Sequence, residues 1–229
     1  MMKRKCASSF FVCLVVMSAV VLPVSVTVSV ASDKATEPML WVTHVERKSN
    51  GNDRMATVVL GGTIAIHEIE ILEWGIKFPY YQARTGVEIP QVEIDTTIDA
   101  GRDLMSRISE AIRTGKPDSG NGELKIKYRI GEVRLTRGNS GRKANVKVTL
   151  NGVLVITVGV MDGISERTGS PYKFISWPSR NSGGDWIEQV AITNMQLKSA
   201  IDKALIREYD AARTEMKQEE QKILFEEDK

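Results

Sequence analysis

Apolar and polar residues alternate along Val42-Thr-His-Val45 and along Met55-Ala-Thr-Val-Val-Leu60, and the alternation resumes at Thr63-Ile-Ala-Ile66. A period of two puts one set of side chains on each face of a strand, so these runs predict three strands with one buried face. Asn50 to Asp53 and Gly61-Gly62 supply the turns between them, because glycine and asparagine tolerate the left-handed backbone of tight hairpins. Further on, Leu104, Ile108, Ala111 and Ile112 recur at the spacing of a single stripe on a helix.

The same order returns later in the chain. Ile130-Gly-Glu-Val133 is followed by a turn at Gly138 to Gly141, then Val146-Lys-Val-Thr-Leu150, the hairpin pair Asn151-Gly152, and Val153-Leu-Val-Ile156. Leu197, Ile201, Ala204 and Leu205 repeat the helical stripe. A repeat of this length implies two units with the same elements, each running strand, strand, strand, variable loop, helix. The expected fold is α+β: two tandem domains, each a small, mainly antiparallel β-sheet with a C-terminal α-helix. Gly115-Lys-Pro-Asp-Ser-Gly-Asn-Gly122 reads as a turn-rich connection, so the domains are expected at 40–114 and 124–213, with a linker at 115–123. No breaker follows Asn194, and residues 214–229 are expected to continue the second helix as a charged tail, either solvated or partner-binding.

The N-terminus follows a different pattern. Lys3, Arg4 and Lys5 precede an apolar run from Phe10 to Leu22, and small residues lead to Ser29-Val30-Ala31. This is the order of a signal peptide over 1–31, with cleavage after Ala31; uncleaved, the segment would serve as a membrane anchor. The expected location is therefore periplasmic or extracellular, the alternatives being a membrane-anchored or a cytoplasmic chain. Both cysteines, Cys6 and Cys13, fall inside this segment, so no disulfide is expected in the mature chain.

Charge is unevenly spread. Residues 32–122 carry 10 basic against 14 acidic side chains, net −4; residues 123–213 carry 15 against 9, net +6; residues 214–229 carry 3 against 6, net −3. A basic second unit is what a nucleic-acid footprint would look like, since the electrostatic part of the affinity scales with the cations presented; the alternatives are a solvated strand face or an electrostatic match between the two units.

Several segments of the second unit, read in order, are similar to one bacterial family. They are Val133-Arg-Leu, Val160-Met-Asp-Gly163, Phe174-Ile-Ser-Trp-Pro-Ser-Arg180 and Ala204-Leu-Ile-Arg-Glu-Tyr209. They resemble the SpoVG (stage V sporulation protein G) septation-protein family along a whole domain. The first unit resembles it at Val42-Thr-His-Val45, Arg54-Met55 and Ile64-Ala-Ile-His-Glu-Ile-Glu-Ile-Leu72, with Phe78-Pro-Tyr-Tyr-Gln82 in place of the family's Met-Pro-Ser-Lys-Arg region. The resemblance implies a small sheet with a C-terminal helix, homodimerisation, and a regulatory role in septation or sporulation through DNA or RNA binding. Family members are cytoplasmic single-domain proteins. A tandem chain would supply the paired assembly as an intramolecular pseudo-dimer, the alternative being a homo-oligomer.

Two groups of residues are candidates for nucleic-acid contact. Lys125, Lys127 and Arg129 alternate with Ile126, Tyr128 and Ile130, which places three cations on one side of a strand. Lys173, Trp177 and Arg180 lie in a segment where aromatics interleave with cations, a combination that suits stacking on unpaired bases. The alternative for Phe174 and Trp177 is packing beneath the helix.

Enzymatic motifs are missing: there is no Gly-x-Ser-x-Gly elbow, phosphate-binding Gly-Lys-Ser/Thr loop or dinucleotide fingerprint. His44 and His67 have no further His or Cys at metal-ligand spacing. The expectation is a binding protein without catalytic residues, metal or cofactor, whose partners are DNA or RNA, or another protein if the chain is exported.

Overall fold

Gly61 and Gly62 have φ of 55° and 65°, and Asn151 and Gly152 have φ of 46° and 70°. Two successive left-handed residues close a tight reversal whose twist suits the flanking strands, so each pair fixes the register of a hairpin. The computed structural model describes residues 40–50, 53–83, 85–118, 125–136 and 141–227. The expected export segment and most of the expected linker lie outside these residues.

In the first half the chain forms β1 (Val42–Asn50), β2 (Asp53–Leu60), β3 (Ile64–Leu72), β4 (Gly75–Lys77), β5 (Tyr80–Gln82), β6 (Glu88–Pro90), β7 (Val92–Ile94) and α1 (Asp99–Thr114). The second half repeats the order as β8 (Tyr128–Leu135), β9 (Arg142–Leu150), β10 (Leu154–Ile164), β11 (Pro171–Ser176), β12 (Ser179–Ser182), β13 (Asp185–Glu188), β14 (Val190–Ile192) and α2 (Met195–Glu227). The class is α+β with antiparallel pairings, as the periodicities require. Leu60 faces Ile64 across one hairpin and Leu150 faces Leu154 across the other.

The first strands align differently from the sequence comparison. Val42 pairs with Leu60 and Tyr128 pairs with Leu150, so the structural counterpart of Val42 is Tyr128 rather than Ile130. Both strands carry irregular pairing, between Val42 and His44 and between Ile130 and Val133. Such irregularities shift the alternation, and the equivalent positions differ in burial, Val42 being buried and Tyr128 exposed.

The variable loops hold what the sequence pattern does not reveal. The strand that precedes each helix joins the sheet of the other half: β7 pairs with β10, and β14 pairs with β3. The registers are reciprocal, with Val92 opposite Ile156 and Ile94 opposite Leu154, and Val190 opposite Ile66 and Ile192 opposite Ile64. The flanking hydrogen bonds match as well: the Thr157 N–H donates to Gln91 O and the His67 N–H to Gln189 O, both at 2.9 Å. One five-stranded sheet therefore contains β1-β2-β3-β14 with β4, and the other contains β11-β10-β9-β8 with β7. The described residues cluster as one compact unit.

Each helix covers the sheet of its own half, α1 over β1 and β2 and α2 over β8, β10 and β11. Leu104, Ile108, Ala111 and Ile112 are buried on α1, and Ile201, Leu205 and Tyr209 on α2, within one continuous apolar core. Burying a side chain such as Leu or Ile contributes about 1.5–3 kcal/mol, which is the main stabilisation available to a chain without described disulfides. Gly101 lets α1 approach closely, since a Cβ there would stand 1.9 Å from Asp95 O. Asn194 starts α2 by accepting the Leu197 N–H on Oδ1 at 3.0 Å. The expected helical tail is present through Glu227.

Candidate nucleic-acid interface

Three of the exposed cations of the second half stand at the β8 edge. Just before β8, the Lys127 N–H donates to Asn151 Oδ1 at 2.8 Å, and the Asn151 N–H donates back to Lys127 O at 2.9 Å. The hairpin asparagine thus pins the segment that delivers Lys125, Lys127 and Arg129 to the outermost strand of its sheet. All three side chains are exposed, and among the described residues none forms an ion pair. Ile126 and Ile130 turn toward the core, so the expected alternation holds although regular strand begins only at Tyr128.

Tyr128 is 38% exposed at the same edge. Beside it runs a shallow cavity of 560 Å³, lined by Tyr128 and Ile130 of β8 and by Ala200, Lys203, Ala204, Arg207 and Glu208 of α2. Lys203 and Arg207 thus set two cations around an accessible aromatic ring on the α2-facing side of β8, the side opposite the one to which alternation turns Arg129. Arg207 also contacts its neighbour Glu208 at 3.0 Å, an exposed pair of little energetic weight. Both cations belong to the site by virtue of α2 packing on β8; one turn apart on a helix, they carry no sequence signal linking them to Tyr128.

The other three candidates stand elsewhere. Trp177 is 6% exposed under α2; its Nε1–H donates to Asp202 Oδ1 at 2.9 Å, and Lys198 lies 5.7 Å from the ring. Lys173 donates to Asp210 Oδ1 at 2.5 Å and faces the Tyr209 ring. Arg180 crosses to the first half, where its Nε–H donates to Glu68 Oε1 and Oε2 at 2.7 and 2.6 Å. The Glu68 hydrogen bond raises the Arg180 pKa above its ordinary value despite the cost of burial. Gln189 adds a bond from Nε2 to Glu68 Oε2 at 3.0 Å.

Glu68 reaches Arg180 because it occupies a bulge. Ala56 pairs with Ile69 and Val58 with Ile66, which leaves one extra residue on β3, and Glu68 takes φ of 57°. A non-glycine residue in this region costs about 1–2 kcal/mol, which the multiply bonded carboxylate helps to offset. The six candidates are therefore distributed over three places: the β8 edge, the underside of α2, and the contact between the halves.

His67 lies within reach of one hydroxyl, Thr57 Oγ1 at 3.3 Å from Nδ1. Among the described residues no group of three His, Cys, Asp or Glu side chains is placed to hold a metal ion. No helix among them is long and apolar enough to cross a membrane. Compared with known proteins, the chain matches no family model, no curated protein and no solved structure.

Proposed function

We propose that the chain is a non-catalytic, SpoVG-like binding protein in which two tandem repeats form an intramolecular pseudo-dimer, and that the β8 edge of the second repeat contacts unpaired DNA or RNA. The observation that carries the reading is the run of exposed cations formed by Lys125 and Lys127, just before an outer strand, and Arg129, on it, with Tyr128, Lys203 and Arg207 on the α2-facing side of the same edge. A single strand wrapping the edge of β8 would lay its phosphates on the cations while a base stacks on Tyr128, a mode that tolerates many sequences. The reciprocal exchange of β7 and β14 supports the pseudo-dimer, because each half completes the other as two copies of a symmetric dimer would. The link to septation or sporulation comes from the resemblance alone.

The test is fluorescence anisotropy with a labelled single strand and a matched duplex, using the chain from Ser32 onward. Binding should favour the single strand, and K127E/R129E should abolish it while R180E should change affinity far less. Absence of binding by the unaltered chain at low salt would overturn the reading.

A second reading follows from the charged and apolar pattern of Lys3 to Ala31. It makes the protein an exported envelope or periplasmic module that binds another protein. Cell fractionation separates the two readings: intact chain in the cytoplasm counts against export, and chain without its first 31 residues outside the cytoplasmic membrane counts for it.

A further inference from the structure

The two helices differ in length at an informative place. In the second half, Tyr209 lies one turn beyond Leu205 and is only 3% exposed. The next residue, Asp210, holds Lys173 of β11 at 2.5 Å, and the same ammonium stands 5.5 Å from the Tyr209 ring. An aromatic residue followed by an acid thus seals that end of the sheet.

In the first half α1 stops before the equivalent turn. Gly115 takes φ of 71° and its N–H donates to Ala111 O, ending the helix. Between the end of α1 and β3–β4 lies an open cleft of 570 Å³. Its floor is apolar, from Ile71, Ile76 and Ile112, and its rim carries four cations, Arg47, Lys48, Arg54 and Arg113, against one acid, Glu73; Lys48 also pairs with Glu46 at 3.5 Å. Arg47 also caps the Arg113 carbonyl at 3.2 Å, and Arg113 is held by Glu110, whereas among the described residues Arg54 forms no ion pair. Trp74 stands at the mouth with 87% of its surface exposed.

The chain carries a segment of matching chemistry. Residues 214–229 have 3 basic and 6 acidic side chains, and within them Phe225 is followed by Glu226, the same aromatic-then-acid order as Tyr209-Asp210. We infer that the cleft receives the Phe225-Glu226 segment of a second copy, with Phe225 on the Ile71, Ile76 and Ile112 floor and Glu226 among Arg47, Lys48 and Arg54. The segment comes from another copy because α2 runs unbroken to Glu227 and is anchored at Tyr209 on the opposite sheet. A rise of about 1.5 Å per residue carries position 225 roughly 24 Å beyond that anchor.

The contact is one-directional, from the tail of one copy to the cleft of the next, so two defective chains can complement each other. Sedimentation velocity of the chain from Ser32 onward, which contains the whole core, should show concentration-dependent association. F225D removes the plug and R54E reverses the rim; each alone should weaken association about 30-fold, the effect of losing an anchor residue. Mixing the two variants should restore heterodimers, because F225D keeps a working cleft and R54E keeps a working tail. A chain that stays monomeric at every concentration overturns the inference, as does association that survives both substitutions. Circular dichroism matching the unaltered chain confirms that each variant is folded.

Discussion

Replacing Trp177 by phenylalanine separates packing from recognition. The indole is 6% exposed beneath α2, and its single polar atom donates to Asp202 Oδ1 at 2.9 Å. Phenylalanine preserves most of the buried ring and deletes that hydrogen bond. A bond to a charged acceptor contributes about 1.5–3 kcal/mol. Asp202 keeps Lys198 at 3.1 Å and is 26% exposed, so the loss falls at the lower end. A cost of about 1.5 kcal/mol lowers Tm by about 3–6 °C in a domain of this size. Alanine also empties the ring's volume and should cost about 3–5 kcal/mol. Thermal melts followed by circular dichroism measure both effects, and anisotropy titrations at a temperature where W177F is fully folded measure recognition. Lower stability with unchanged affinity is the expected pair of results. Wild-type stability with lost affinity would refute the packing role and return Trp177 to the interface.

The contact between the halves offers a second comparison, because Glu68 combines a left-handed backbone with a shared carboxylate. E68A loses the Arg180 bonds and keeps the strain, whereas E68G loses the bonds and relieves it, so E68G should be the more stable by about 1 kcal/mol in urea denaturation. G101A forces a Cβ against Asp95 O at 1.9 Å and should cost about 3 kcal/mol or more by the same assay, since a backbone carbonyl on this short connection has little room to move. Acid should weaken the α1 entry through Asp95, whose carboxylate accepts the Thr97 N–H at 3.1 Å and the Thr97 hydroxyl. These bonds hold its pKa below the ordinary 3.8. A depressed folded pKa gives stability that is present above the unfolded value and lost as pH falls through the folded one. D95N should therefore flatten the acid limb of a urea-midpoint series between about pH 5 and pH 2.

How much of this fold was legible in the sequence follows from the length of each pattern. β2, β3, β9 and β10 run long enough for alternation to show, and the stripes of Leu104 to Ile112 and Leu197 to Leu205 span two turns each. The exchanged strands Val92–Ile94 and Val190–Ile192 contain three residues apiece, too few for a period, and their partners lie in the other half. Glu68 was invisible as a bulge because Ile64 to Leu72 reads as one uninterrupted strand whether or not a residue is inserted. At the site, the alternation of Lys125, Lys127 and Arg129 was readable, since it depends only on strand geometry. That Lys173 and Arg180 already have acidic partners was not, because Asp210 and Glu68 are distant in sequence and reach them only through α2 packing and strand exchange. Lys203 and Arg207 were missed for the same reason.

The salt dependence of single-strand binding tests the central claim most directly. Each phosphate neutralised contributes a slope of about −0.7 to the plot of log affinity against log salt. Engagement of Lys125, Lys127, Arg129, Lys203 and Arg207 predicts a slope of about −3.5, and K125Q/K127Q/R129Q should bring it to about −1.4. A slope near zero, or one that the triple substitution leaves unchanged, would contradict an interface at the β8 edge.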